Sequence, residues 1–304
     1  MSRGAGRGKV ILLGEHAVVY GYPALAAALD RGAEATLTPS GEDRLVSSSA
    51  LLNARRGEKR AQIDAAFTAL LEVFSETPLG VQLEIRLDLP PGVGLGGSAA
   101  AGIALSEAIA AHLGRADDRA LIESAALAWE AVFHGNPSGV DTALALHGGV
   151  GLFDKRRGLR RLEIARPLHL AIANSGAKTS TKEMVESVAA KRAREGEPVD
   201  ALLRSIGALA DEGAEALIAG DLEALGSAMN RNHALLRELG LSTPTLEALR
   251  EAALRHGALG AKLTGSGGGG ALIALAKTKE HAEEIARALH AEHSVETTSC
   301  ELKP

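Results

Sequence analysis

The chain reads as an α+β protein of two domains, the second a split βαβ, ferredoxin-like arrangement with inserted helices. Three observations carry that expectation. The first is a strand of nearly perfect alternation, Val81-Gln82-Leu83-Glu84-Ile85-Arg86-Leu87-Asp88-Leu89, running into a glycine-rich turn and then an Ala-rich helix over 98–113. The second is a change of character in the second half, where four helical patterns follow one another over 180–194, 198–219, 221–239 and 243–256. The third is the order of elements there: strand, helices, strand, turn, strand, helix, strand. A length of 304 residues suits two domains, and the boundary is placed between residues 165 and 166.

Taken in order, residues 9–13 form a short apolar strand that Gly14-Glu15-His16 breaks with two ionisable groups in succession. Strand-like text resumes over 18–20, 22–29 and 33–38, and the polar, weakly periodic stretch 40–60 reads as a loop excursion. A helix is expected over 62–74. A further helix over 119–133 ends in His134-Gly135-Asn136-Pro137-Ser138-Gly139-Val140-Asp141, a bend whose Asp141 opens the next apolar run. Residues 148–153 read as a strand, and Lys155-Arg156-Arg157-Gly158-Leu159-Arg160-Arg161 as a solvated basic hairpin tip. Strands at 168–173, 259–264, 271–276 and 294–302, with a helix at 278–291, complete the chain.

Composition narrows the functional classes. Hydrophobic content of 46% and charged content of 23% describe a globular protein, and aromatics at 2% leave the core to Ala, Leu, Val and Ile. A net charge of −5 and the scarcity of stacking rings argue against nucleic acid as a partner. Cys300, the single cysteine, excludes internal disulfides and a cysteine-based metal site. No signal-peptide core and no uncharged stretch of spanning length are seen, so the expectation is a cytoplasmic protein without membrane partners.

The stretch Pro90-Pro91-Gly92-Val93-Gly94-Leu95-Gly96-Gly97-Ser98-Ala99-Ala100 places small residues between strand and helix. It sets unpaired backbone N–H groups at a helix N-terminus, where the dipole favours an anion. The same text also fits a tight turn with no ligand. It is no Walker A loop, because no Gly-Lys-Ser/Thr closes it. Phosphoryl transfer needs a phosphate cradle, a divalent cation on hard oxygens, and a group to meet the acceptor hydroxyl. Ser98 offers a hydroxyl at the cradle, and Glu130 and Asp141 are the carboxylates in reach of the argument. Taken singly, Glu130 reads as a solvated helix residue, Asp141 as an N-cap and Lys9 as a strand-edge charge.

Together these stretches say more. Lys9-Val10-Ile11-Leu12-Leu13-Gly14-Glu15-His16-Ala17-Val18-Val19, the 90–100 stretch, and Lys262-Leu263-Thr264-Gly265-Ser266-Gly267-Gly268-Gly269-Gly270 resemble the three ordered motifs of the GHMP kinases. The 134–141 bend and Met229-Asn230-Arg231-Asn232-His233, followed by Leu239-Gly240-Leu241-Ser242, are similar to the mevalonate-phosphorylating branch. The resemblance covers essentially the whole chain. It implies an N-terminal α/β domain like ribosomal protein S5, a C-terminal ferredoxin-like domain, and ATP-dependent phosphorylation of the C5 hydroxyl of mevalonate. It also implies roles: Asp141 as catalytic base with Lys9 beside it, and Ser98 and Glu130 as ligands of Mg²⁺. Pro91, Gly92, Gly94, Leu95, Gly96, Gly97, Ser98 and Ala99 would wrap the ATP phosphates, with Gly265, Ser266 and Gly267 opposite. Glu15, His16, Ser138 and Thr181 would line the acceptor side.

Two departures stand out: Gly97 replaces the first Ser of a usual Ser-Ser pair, and Ser266 a usual Ala. Other readings on the same fold are a phosphomevalonate or homoserine kinase, a diphosphomevalonate decarboxylase, or a non-catalytic ligand sensor. The last should have lost a base or a metal ligand, and Asp141, Lys9, Glu130 and Ser98 are all present. A homodimer is left open.

Overall fold

The structure is a computed structural model, and it describes residues 1–47, 52–90, 93–134, 138–177 and 180–303. Two compact units divide the chain. The first gathers residues 1–8, 31–90 and 96–148, and the second gathers 9–30, 91–95 and 149–304. This division is interleaved along the chain, where the sequence reads with one boundary at 165/166. Its cause is the length of β1 (Ser2–Leu13) and β2 (Ala24–Pro39), each of which supplies residues to both units.

In the first unit, β3 (Arg44–Ser47) pairs antiparallel with β4 (Ala54–Arg55) and parallel with β5 (Val81–Leu87), and β5 pairs antiparallel with residues 33–39 of β2. The two short strands correct the expectation of a loop over 40–60. Helices α1 (Gln62–Phe74), α2 (Gly97–His112) and α3 (Arg119–His134) lie where they were expected, and the apolar run after Asp141, given no element from the sequence, is a further helix, α4 (Val140–His147). Helix α3 packs on α1 and α2, and α4 on α2. The shared core holds Phe67, Leu70, Leu83, Ile85, Leu105 and Trp129. Residues 2–8, glycine-rich and poor in strand formers, are nevertheless strand. A Cβ on Gly4 would lie 2.2 Å from the Ala104 carbonyl oxygen and one on Gly6 2.1 Å from that of Ala100, so the glycines admit α2 at backbone distance.

In the second unit, residues 24–27 of β2 pair with β6 (Val150–Asp154), which pairs with β7 (Gly158–Arg161). Residues 18–20, expected as strand, belong to a 3₁₀ turn over Ala17–Tyr20. Positive φ at Gly14 (102°), His16 (61°) and Gly21 (88°) bends the chain out of extension on both sides of it. The remainder is a four-stranded antiparallel sheet of β8 (Leu168–Asn174), β9 (Gly260–Thr264), β10 (Ala271–Ala276) and β11 (Thr297–Leu302) in the order β11-β8-β10-β9, the ferredoxin-like order. Helices α5 (Thr181–Glu195), α6 (Glu197–Ala219), α7 (Leu222–Glu238) and α8 (Pro244–Arg255) lie between β8 and β9 in the chain, and α9 (Lys279–His293) between β10 and β11. Ser180, Asp221, Thr243 and Thr278 cap α5, α7, α8 and α9 with side-chain oxygens. Helix α7 meets β9 at main-chain distance: a Cβ on Gly226 would stand 2.5 Å from the Leu259 carbonyl oxygen, and one on Gly260 2.3 Å from that of Gly226. No helix among the described residues is long and apolar enough to cross a membrane.

Candidate active site

In the first unit, Ser98 stands in the first turn of α2, after Gly96 at φ 75°. The first amides of a helix have no acceptor within it, so Gly97, Ser98 and Ala99 present N–H groups at this end. The Ser98 hydroxyl donates to Glu130 Oε1, and Glu130, on α3, is only 3% exposed. Glu130 is thus no solvated helix residue. His134 Nε2 lies 3.7 Å from the other carboxylate oxygen, one turn on. A hydroxyl and a carboxylate in contact form a hard-oxygen donor set suited to Mg²⁺, with remaining positions for phosphate oxygens and water. Among the described residues no group of three or more His, Cys, Asp or Glu offers a rival metal site. A Cβ on Gly97 would meet nothing within 4 Å, so the glycine there leaves open space.

Asp141 sits in the first turn of α4, where the helix dipole favours a negative charge. The N-cap position it was expected to hold belongs to Gly139 at φ 90°. Ser138 supports the same turn, its hydroxyl accepting from the Val140 amide at 3.4 Å. Pro91, Gly92 and the Gly135-Asn136-Pro137 part of the bend lie outside the described residues.

In the second unit, Lys9 is 3% exposed and its Nζ donates to the Gly94 carbonyl at 3.0 Å, while its amide donates to that of Leu95 at 2.9 Å. It is a buried cation clasping a glycine-rich segment, no strand-edge charge. The two glycine-rich stretches, 170 residues apart, abut: a Cβ on Gly265 would lie 3.3 Å from the Gly94 carbonyl oxygen, and one on Gly270 3.1 Å from that of Val93. Thr264 secures this approach, its hydroxyl accepting from the Ile11 amide at 2.9 Å and donating to the Ile11 carbonyl at 3.0 Å. One turn further, His16 Nε2 donates to the Ser266 carbonyl at 2.8 Å, and Thr181 Oγ1 lies 3.5 Å from Ser266 Oγ. Burial pushes the His16 pKa down, and the bond to the Ser266 carbonyl offsets this only in part. The imidazole is then neutral, with Nδ1 as an acceptor. Gly267, at φ 77°, lies against Leu241.

Glu15 is placed differently from the expectation that it touches the acceptor. Its side chain is fully buried, Oε1 held by the Lys262 ammonium and Oε2 by Asn232 Nδ2 at 2.9 Å. Its carboxylate therefore holds the Gly14-Glu15-His16 turn, and His16 is the residue of that turn left to meet a ligand. Lys262 also donates to the Leu263 carbonyl, and burial pushes its pKa down against the pull of Glu15. The Met229-Asn230-Arg231-Asn232-His233 stretch serves the same strand. Asn230 bridges the Leu259 carbonyl and the Ala261 amide at 3.2 and 3.1 Å, and His233 Nδ1 accepts from the Leu263 amide at 3.3 Å. His233 Nε2 then carries the hydrogen and donates to Glu247 at 2.8 Å, and burial pushes the His233 pKa down to about 4.

Lys262 and Asn232 stand within the quoted motifs, but neither they nor Trp129 received a role from the sequence. The available signal was a lysine inside an otherwise apolar strand next to a glycine run, since an unpaired lysine is rarely buried.

Comparison with known proteins gives the family. The family models for the GHMP kinases N terminal domain and for GHMP kinases C terminal match residues 62–149 and 214–295. A mevalonate kinase of Methanothermobacter thermautotrophicus is 35% identical over 271 residues, covering 88% of this chain and 87% of the relative. One of Thermococcus sibiricus is 32% identical over 304 residues, covering 92% and 90%. The crystal structure of L. major mevalonate kinase in complex with R-mevalonate superposes with a TM-score of 0.87 at 28% identity, covering 100% of this chain and 96% of that one. With motifs, fold and relatives in agreement over nearly its full length, the chain belongs to the mevalonate kinase family of the GHMP kinases.

Proposed function

We propose that this chain transfers the terminal phosphoryl group of ATP to the C5 hydroxyl of mevalonate, giving 5-phosphomevalonate for isoprenoid synthesis. As a GHMP kinase it is an ATP-using phosphotransferase. The observation that carries the chemistry is the buried Ser98–Glu130 pair at the start of α2, a hydroxyl and a carboxylate at an anion-favouring helix end.

Ser98 and Glu130 would hold Mg²⁺, which when bound neutralises charge on the phosphate oxygens. In the first unit the amides at the start of α2 would meet nucleotide phosphates, and in the second unit Gly94, Leu95, Gly265, Ser266 and Gly267 would supply phosphate-facing backbone of their own. Asp141 accepts the proton of the acceptor hydroxyl, and Lys9 supplies a fixed positive charge to the reacting oxygens. His16 and Thr181 hydrogen-bond the acceptor, and Ser138 shapes the turn that presents Asp141. Glu15 acts by holding His16 in place.

The test is an ATP-coupled activity screen over mevalonate, phosphomevalonate, homoserine and galactose, with carbon dioxide release measured on diphosphomevalonate. Mevalonate should be preferred over phosphomevalonate by at least about ten-fold in kcat/KM. Equal or preferred use of phosphomevalonate, or decarboxylation, overturns the assignment.

A further inference from the structure

Helix α3 delivers two groups to Ser98 from adjacent residues. Glu130 takes the hydroxyl proton, and Trp129 Nε1–H donates to the Ser98 carbonyl at 3.1 Å and to its hydroxyl oxygen at 3.3 Å. The indole is 1% exposed and lies where residue 102 has no side chain. A Cβ on Gly102 would come within 3.0 Å of Trp129 Cδ1 and 3.4 Å of Cγ. Phe133, one turn along α3, closes the other side edge-on, with ring centroids 5.4 Å apart.

A serine hydroxyl has one hydrogen and two lone pairs. Here the hydrogen is committed to Glu130 and one lone pair to the indole, so the Ser98 rotamer is fixed and the other lone pair remains to bind a ligand. We propose that Trp129 is a positioning residue for the cation site: its indole N–H, seated over Gly102, orients the Ser98 oxygen so that Ser98 and Glu130 present a preorganised pair to a divalent cation. This rests on the reading of Ser98 and Glu130 as the cation-holding pair. Groups that orient a ligand side chain set how much ordering must accompany binding. Because Trp129 is the only tryptophan in the chain, its emission also reports directly on that oxygen.

The experiment titrates Mg²⁺ into protein holding a non-hydrolysable ATP analogue, by calorimetry and by tryptophan emission. Trp129→Phe keeps an aromatic side chain, though a smaller one, and removes the donor. It should weaken cation binding about five-fold, the worth of a neutral hydrogen bond, and shift the Mg²⁺ half-saturation of the rate more than the KM for mevalonate. Wild-type emission should change on cation binding, and Ser98→Ala should abolish that change. If Ser98→Ala and Glu130→Gln weaken the cation but Trp129→Phe binds it as wild type does, the role of Trp129 is overturned and the metal pair stands. If neither Ser98→Ala nor Glu130→Gln alters cation binding, both fall. Should Trp129→Phe fail to fold, the wild-type titration decides alone: constant emission through saturation overturns the proposal.

Discussion

Replacing Lys262 by Met tests how the Gly14-Glu15-His16 turn is held. Both charged side chains of the Lys262–Glu15 pair are 0% exposed, so removal of the ammonium leaves a carboxylate with no solvent to turn to. Breaking a buried pair from one side costs about 3–5 kcal/mol. Two features of this site place the expected loss at the lower end, about 3 kcal/mol. Asn232 still donates to Glu15 Oε2 at 2.9 Å, and Lys9 lies near enough to depress the Lys262 pKa and so to offset part of the orphaned negative charge. Met retains most of the aliphatic stem, so little cavity opens. In Lys262→Met combined with Glu15→Gln no buried charge is left uncompensated, and the double variant should be more stable than Lys262→Met alone by about 2 kcal/mol. Native-state hydrogen exchange at the amides of β9 reads the loss locally, within the second unit. If Lys262→Met exchanges at wild-type rates, or the double variant loses the sum of its singles, the pair does not hold this turn.

His233 makes stability depend on pH. Its pKa is about 4 in the folded chain against 6.5 for the free group, so between these values the unfolded chain binds the proton and the folded chain does not. Stability contributed by neutral His233 is full above pH 6.5 and is lost as pH falls toward 4, by about 2 kcal/mol between pH 7 and 5. Urea unfolding at the two pH values should show that loss reduced in His233→Asn, and an unchanged slope would contradict it. Asp141→Asn keeps the shape of the first turn of α4 but cannot take a proton. Its kcat for mevalonate should fall by about 10²–10⁴ while ATP-analogue binding is unchanged, and near-wild-type turnover would remove Asp141 as base.

Local periodicity made most of the elements legible. Alternation in Val81–Leu87, the small apolar residues of α2 and the long patterns of α6 and α7 each point to one structure, and the strand order of the second half follows from their succession. Val18 and Val19 misled because β-branched residues suggest extension, whereas the backbone there is decided by Gly14, His16 and Gly21. The interleaved units were hidden because a long strand carries no mark of where its partners change. Among the candidate residues, the pairing of Glu15 was hidden from the sequence. A carboxylate beside a histidine reads as a ligand group until its partner, 247 residues away, is known to be a buried lysine.

The glycine contact between α7 and β9 has a consequence for how this protein can drift in sequence. Most core positions trade volume with a neighbour, because a side chain on one side can change rotamer or shrink. At Gly226 and Gly260 the nearest atoms are main chain, and the one side-chain atom among them, Leu259 Cβ, is fixed to the backbone and cannot change rotamer to give way. An added methyl group there could be admitted only by moving the whole helix, and with it Asn230 and His233, which bond the β9 backbone on either side of Lys262, and Asn232, which bonds the Glu15 carboxylate that Lys262 pairs with. The position of the ammonium that anchors the Gly14-Glu15-His16 turn is thus encoded partly by atoms that are missing. Descendants of this chain are free to vary much of the surrounding Leu and Ala packing, while these two positions admit no compensating change nearby.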